Sequence, residues 1–343
     1  MTALSSTWIA LAAVAFGVSF AGVRLVERHA LRLGLLDVPN VRSSHREPRP
    51  RGGGVGIVLG VAVALAGASA ASMTFRPEAW VLFGAAFLLA VLGLWDDVRT
   101  LGVWPRLLTQ TLAAACVVGV LGGLERLPLP PPADIPLGLA GAGLAIVWLV
   151  AVTNFFNFMD GVDGLAAGQA VISLAVVAWA VWPSAEAGLA IVALTATAAF
   201  LIRNWSPARI FLGDVGSSFL GFLLAGLPLA SPPGTRSGLV LLVATSLTLF
   251  LLDPIATLVV RSRRRAAIGA AHRDHAYQQL VEPGGTHAAA VTVLLGAGLI
   301  LTLLAALAYS RPRLGWLTVG VALVAFLIEW QVADRRRRHR GAG

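Results

Sequence analysis

The chain reads as an all-α integral membrane protein, a polytopic bundle of about 10–11 transmembrane helices. Three observations carry that reading. Of 343 residues, 57% are hydrophobic and only 13% charged, with a mean hydropathy of +0.80, whereas a soluble domain carries about 25% charge. The apolar residues fall in long blocks near the roughly 20 residues that cross a bilayer, without the amphipathic period of a surface helix. The charge is also sorted by loop, because all 26 basic residues are arginine and they crowd into alternate connections.

The blocks place spans at 5–26, 53–72, 80–95, 107–123, 137–153, 165–182, 187–202, 217–230, 238–260, 288–308 and 314–332. The first has no positive leader before it and reads as a retained span, not a signal peptide. The fourth to eighth are the shortest or richest in glycine. The ninth carries Asp253, an intramembrane acid that is either a functional candidate or a hydrogen-bonded structural acid beside Pro254. The eleventh ends in the arginine run 335–340, a topology and lipid anchor. Counted over alternate connections, 21 of the 26 arginines lie on one side. The positive-inside rule makes that side cytoplasmic, with the N-terminus outside and the C-terminus inside. Residues 1–343 are then one polytopic domain with cytoplasmic loops at about 27–52, 96–106, 154–164, 203–216 and 261–287.

Composition also excludes. With no lysine there is no Walker A loop and no Schiff-base nucleophile. The single cysteine, Cys116, rules out a disulfide framework and reads as a small buried hydrophobe. Arginines spread over membrane loops mark sidedness and lipid headgroups rather than nucleic acid.

Nearly every distinctive polar residue falls in the arginine-rich loops. Leu92–Arg99 contains the adjacent pair Asp96 and Asp97, whose charges repel unless a cation lies beside them. Asn154–Gly164, N-F-F-N-F-M-D-G-V-D-G, spaces Asn154, Asn157, Asp160 and Asp163 three apart. Glycines within it break regular helix, so a capped turn explains part of the pattern and a convergent site the rest. Arg203–Ser218 holds Asn204 and Asp214, the latter favoured at a helix N-terminus with or without a metal. The loop at 271–287 carries His272, Arg273 and His275, donors suited to phosphate oxygens. In the first loop Arg51 precedes three glycines, which let backbone N–H groups approach an anion. Acids with amides suit a hard divalent cation, and His with Arg suits phosphate. A site of this kind opening on a bilayer fits phosphoryl transfer to a lipid.

In this order the motifs resemble the polyprenyl-phosphate N-acetylhexosamine-1-phosphate transferases, the superfamily that includes phospho-N-acetylmuramoyl-pentapeptide transferase. The resemblance runs from D-V-P-N-V-R-S-S-H and P-R-P-R-G-G-G within 37–54, through W-D-D at 95–97, N-F-M-D-G-V-D-G at 157–164 and N-W-S-P-A-R-I-F-L-G-D-V-G-S at 204–217, to H-R-D-H-A-Y-Q at 272–278. The last is similar to the subgroup that begins O-antigen and related glycans, and it departs from the paired histidines of the pentapeptide enzyme.

The resemblance implies an enzyme of a bacterial inner membrane that moves a sugar-1-phosphate from a UDP-N-acetyl sugar to undecaprenyl phosphate and releases UMP. It implies Mg²⁺, with Mn²⁺ as a substitute, and membrane lipid as surroundings, with self-association left open. Carried over by residue, Asp96 or Asp97 is the base. Asp214, Asn157 and Asp97 are on the metal side, and Asp160, Asp163 and Asn204 face the nucleotide. Arg51, His272, Arg273 and His275 hold phosphate or sugar. Three rivals share the hydropathy. A flippase or exporter would not need these clusters on one side. A CDP-alcohol phosphotransferase would need a D-G-x2-A-R type array, which this chain lacks. A scaffold would tolerate acid-to-amide changes.

Overall fold

The computed structural model describes residues 2–37, 48–71, 76–265, 274–281 and 287–341. Through them run α1 (Thr2–Leu33), α2 (Gly54–Ala70), α3 (Pro77–Val98), α4 (Val103–Leu121), α5 (Ala140–Phe158), α6 (Leu165–Ala180), α7 (Ala185–Asn204), α8 (Gly213–Ala230), α9 (Arg236–Ser246), α10 (Thr248–Arg263), α11 (Ala276–Leu280), α12 (His287–Ser310) and α13 (Gly315–Gly341). Every apolar block of the sequence is helical, and only the ninth is split, between α9 and α10. Among the described residues eight helices are long and apolar enough to cross a bilayer, or up to 9 with the α9–α10 pair taken as one span. The helices α2 and α6, at 17 and 16 residues, fall short of the roughly 20 that a full crossing takes. The expected 10–11 crossings are thus eleven apolar segments of unequal length.

The ninth segment bends by 73° between Ser246 and Thr248. Neither glycine nor proline stands at the break; Pro254 lies further on, inside α10. Polar side chains gather at the break, and Gln169 Nε2 donates to the Ser246 carbonyl at 2.8 Å. Thr245 donates to the Leu241 carbonyl at 2.8 Å and Thr248 to that of Thr245 at 2.7 Å. Ser246 joins Ser173 at 2.7 Å and Thr302 at 2.8 Å, on α6 and α12. Hydroxyls that compete for helix carbonyls weaken the ladder and let it kink.

At the centre stands α8, buried at every position from Val215 to Ala230, with α2, α3, α5 and α9 against it. Helices at the rim turn apolar side chains outward, as at Trp104, Leu108 and Leu112 on α4. Cys116 lies on this outer face too, so it is exposed and not the buried hydrophobe expected. The periodicity of so uniformly apolar a helix does not mark which face meets lipid.

Connections gather at two ends of the bundle. At one, Ser237 donates to the Arg126 carbonyl at 2.7 Å, Arg236 pairs with Glu125 at 3.4 Å, and Trp316 donates to the Pro131 carbonyl at 2.8 Å. The motif-bearing loops gather elsewhere, as alternate connections must. In the first of these, β1 (Leu36–Asp37) pairs antiparallel with β2 (Arg49–Pro50). The chain after β2 docks on the segment before α8: Phe211 N–H donates to the Pro50 carbonyl at 2.8 Å, and Gly53 and Gly54 donate to Phe211 and Leu212, each at 2.9 Å. That docking carries Arg51 to the head of α8.

Candidate active site

Four helix ends meet here: the last turns of α3 and α5 and the first turns of α4 and α8. The neighbouring acids of α3 diverge, because successive side chains on a helix point about 100° apart. Asp96 turns to α4, where Oδ2 meets Arg106 Nη1 at 2.7 Å and Oδ1 accepts from Leu101 N–H at 2.5 Å. Asp97 turns to α8, and its two carboxylate oxygens accept from the N–H groups of Asp214 and Val215 at 3.1 and 3.2 Å. Those are donors that a helix N-terminus leaves unpaired, and its dipole favours the negative charge. Gly213 makes this possible: at φ 76° it is left-handed, and a Cβ would lie 2.5 Å from Asp97 Oδ2.

Asp214 faces the opening between them. Its Oδ1 accepts from Asn157 Nδ2 at 2.9 Å, and its Oδ2 lies 3.2 Å from Arg106 Nη1. Asn157 also donates to Ser217 Oγ at 2.8 Å. Arg51 approaches from the other side, donating to the Asp97 carbonyl, with its Nε 4.0 Å from Asp97 Oδ1. Sequence reasoning counted Arg106 only as a mark of sidedness; here it bridges Asp96 and Asp214. Ten residues of chain separate it from Asp96, so no local spacing announces it.

Asp160 sits in the loop after α5, half-buried. Burial pushes its carboxyl well above the usual carboxylate range, and the charges of Asp214, Asp97 and Asp163 push the same way. That excess of negative charge is what a divalent cation would offset. Among the described residues no three acidic, His or Cys side chains form a metal cage by themselves. Asp97, Asp214 and the Asn157 amide are the groups here that could hold part of a coordination sphere. The fit is to a cation that also takes phosphate oxygens from its ligand, as Mg²⁺ commonly does.

Two further candidates are spent on building the loops. Asn204, buried, accepts from Gly164 N–H at 2.9 Å and donates to the Ile210 carbonyl at 3.0 Å. Asp163 accepts from Ala208 N–H at 2.9 Å. Together they clip the 160–164 loop to the 204–210 segment. Asn154 is separate from the site, donating to Gln110 Oε1 at 2.6 Å and to the Val150 carbonyl at 2.8 Å.

The comparisons with known proteins bear on this arrangement. Residues 79–231, which include Asp96, Asp97, Arg106, Asn157, Asp160 and Asp214, match glycosyl transferase family 4. The matched stretch is similar to that family and holds most of the cluster. It is 29% identical to a probable undecaprenyl-phosphate N-acetylglucosaminyl 1-phosphate transferase of Bacillus subtilis, over 94% of this chain and 91% of that protein. It is 27% identical to the undecaprenyl-phosphate alpha-N-acetylglucosaminyl 1-phosphate transferase of Escherichia coli O157:H7, over 91% of each. Similarity to the phospho-N-acetylmuramoyl-pentapeptide-transferase of Lactiplantibacillus plantarum is 33% but covers only 44% of this chain and 52% of the other.

The family match ends before the last loop. There His275, buried, places Nδ1 3.2 Å from Asp253 Oδ1. Two residues on, Tyr277 donates its hydroxyl to the Phe158 carbonyl at 2.9 Å and so reaches the end of α5. Burial pushes the Tyr277 phenol up, with the charges of Asp253 and Asp160 adding to it, so it stays a donor. His272 and Arg273 lie outside the described residues, as does the 38–47 part of the first loop.

Proposed function

We propose that this chain transfers an N-acetylhexosamine-1-phosphate from a UDP-sugar to undecaprenyl phosphate, releasing UMP, at the cytoplasmic face of a bacterial inner membrane. The observation that carries the reading is the meeting of Asp97, Asp214, Asn157, Arg51 and Arg106 at four helix ends. The names of the full-length relatives support the same reaction class. A phosphate oxygen of the lipid attacks the β-phosphorus of the UDP-sugar, the phosphoanhydride bond breaks, and the electron pair leaves on UMP. Little covalent work falls to the protein in such a transfer, so positioning and charge supply most of the rate.

Each residue then has a task. The backbone donors of α8 hold Asp97 in one orientation, toward the attacking group or the metal. Asp214 and Asn157 form the metal side. They would hold Mg²⁺ together with the diphosphate, and the charge it supplies would offset that which develops as the bond breaks. Arg51 and Arg106 flank that charge, and Arg106 keeps Asp96 paired while doing so. Asp160 lies where a nucleotide would meet the clipped loop, whose shape Asp163 and Asn204 maintain. The arginine count supports the cytoplasmic side for this end. The H-x-A-Y-Q segment at 275–278 favours O-antigen or a related envelope glycan over peptidoglycan.

A donor panel tests the reading. Purified protein with undecaprenyl phosphate and Mg²⁺ is expected to release UMP from at least one UDP-N-acetylhexosamine. Well-folded protein that turns over none of them overturns it.

A further inference from the structure

Asp253 has no part in the cluster above, yet it is fully buried, with 0% exposure. A buried carboxylate is tolerated only when donors fill its lone pairs. Four do. Oδ1 accepts from Ala276 N–H at 3.0 Å and Thr257 Oγ1 at 3.0 Å and faces His275 Nδ1 at 3.2 Å; Oδ2 accepts from Tyr277 N–H at 3.0 Å. Three of the four donors belong to one short segment, 275–277, more than twenty residues away along the chain. With three donors on Oδ1 and one on Oδ2, the carboxylate is held by this segment, and its effect on the site passes through these partners.

We infer that Asp253 is a positioning residue that fixes His275 in the tautomer protonated on Nδ1 and seats the His275–Tyr277 turn beneath the Asn157–Asp160 loop. Only an N–H can face a carboxylate at this distance, so Nδ1 carries a proton. The rings of Phe158 and Tyr277, with centroids 6.2 and 5.8 Å from that of His275, flank it. Turning the ring over would put a C–H against Asp253 and remove one of the three donors on Oδ1. The tie continues through Tyr277, whose hydroxyl holds the Phe158 carbonyl. Phe158 is the neighbour of Asn157. A buried acid on α10 thereby sets both the tautomer of a histidine and the height of the loop that carries Asp160. The inference rests on the proposed phosphotransfer for its consequence, not for its geometry.

The isosteric change Asp253→Asn separates this from simple packing. With Nδ2 in the place of Oδ2, the amide opposes the Tyr277 N–H. Turned over, it opposes Ala276 N–H and presents a donor to His275, which must then protonate on Nε2. Nitrogen-15 spectra of imidazole-labelled protein in nanodiscs read the tautomer without any turnover. The expected result is Nδ1–H in the unaltered protein, with Nε2–H appearing in Asp253→Asn where its amide turns over; a ring without a proton on Nδ1 in the unaltered protein overturns the inference whether or not the variant folds. In the UMP-release assay Asp253→Asn and His275→Gln should each cost about 10–100-fold, the usual range for a partner that orients a working side chain. The double variant should be no slower than His275→Gln alone. Losses that multiply would mean that Asp253 does not act through His275, and would overturn it. Failure of the donor panel by unaltered protein sinks the phosphotransfer reading and leaves the tautomer result standing.

Discussion

Gly93 offers a test in which distance alone is changed. On α3, one turn before Asp97, it lies against the head of α8: a Cβ there would stand 2.3 Å from the Asp214 carbonyl oxygen, 2.5 Å from its carbon and 2.6 Å from Val215 N. All three are backbone atoms, so no side chain can swing away. Ordinary contact begins at 3.4 Å, so Gly93→Ala must open the helices by about 1 Å. The overpacking costs about 1–3 kcal/mol, partly offset by the roughly 1 kcal/mol that alanine adds to helix propensity. Folding should therefore survive. The hydrogen bonds of Asp97 to Asp214 and Val215, now 3.1 and 3.2 Å, would stretch beyond useful length. A misplacement of that size costs about 100-fold in rate. Gly84→Ala, on the same helix with nothing within 4 Å of its Cβ, is the matched control and should keep full activity. UMP release and thermal unfolding are measured for both. A Gly93→Ala protein that melts normally and turns over at the unaltered rate refutes the claim that the Asp97–α8 spacing sets the chemistry.

Other outcomes follow from the same geometry. Arg106→Ala removes the partner of both Asp96 and Asp214 and should lower turnover by about 100-fold or more, near 3 kcal/mol. Arg106→Lys, a point charge without the fork, should recover only part, and full activity in the alanine variant would contradict the bridging role. Asp97→Asn and Asp214→Asn should each abolish UMP release; unchanged turnover in either removes that residue from the site. Chelation with EDTA should stop the reaction and added Mg²⁺ restore it, whereas undiminished turnover after chelation would eliminate the cation. Asn204→Ala leaves the Gly164 N–H and the Ile210 carbonyl without their buried partner, so the melting temperature should fall, by about 1–3 kcal/mol of stability for each orphaned group. An unaltered melt with a raised KM would assign Asn204 to the nucleotide instead.

How much of this was legible in the sequence varies by kind of feature. The eleven apolar blocks were, because hydrocarbon length and composition fix them. The break before Thr248 was not: it depends on Thr245, Ser246 and Thr248 finding acceptors and partners that only the packed bundle supplies. Asp97, Asp214 and Asn157 could be named because each sits in a short motif of polar residues among apolar ones. Arg106 could not, since its partners come from α3 and α8 and its own surroundings, W-P-R-L-L, read as an interfacial helix start. Period-three spacing grouped Asn154 with Asn157, but the helix turns Asn154 toward Gln110 on α4. Asp163 and Asn204 were found as polar outliers, yet polarity does not say whether a side chain meets ligand or backbone; here both meet backbone.

The burial of α8 has a consequence for how the protein is made. This span is 18 residues long, with a mean hydropathy of 1.3 and 89% of its residues inside the bundle. Its apolar surface is spoken for by neighbouring helices, and it begins with Asp214, so it is poorly equipped to enter a bilayer unaided. Its partners α2, α3 and α5 all precede it in the chain and emerge from the ribosome first. Retention of α8 and construction of the acid-and-arginine cluster are then the same event during biogenesis, and a chain that has lost its seat for α8 loses its place in the membrane along with its chemistry.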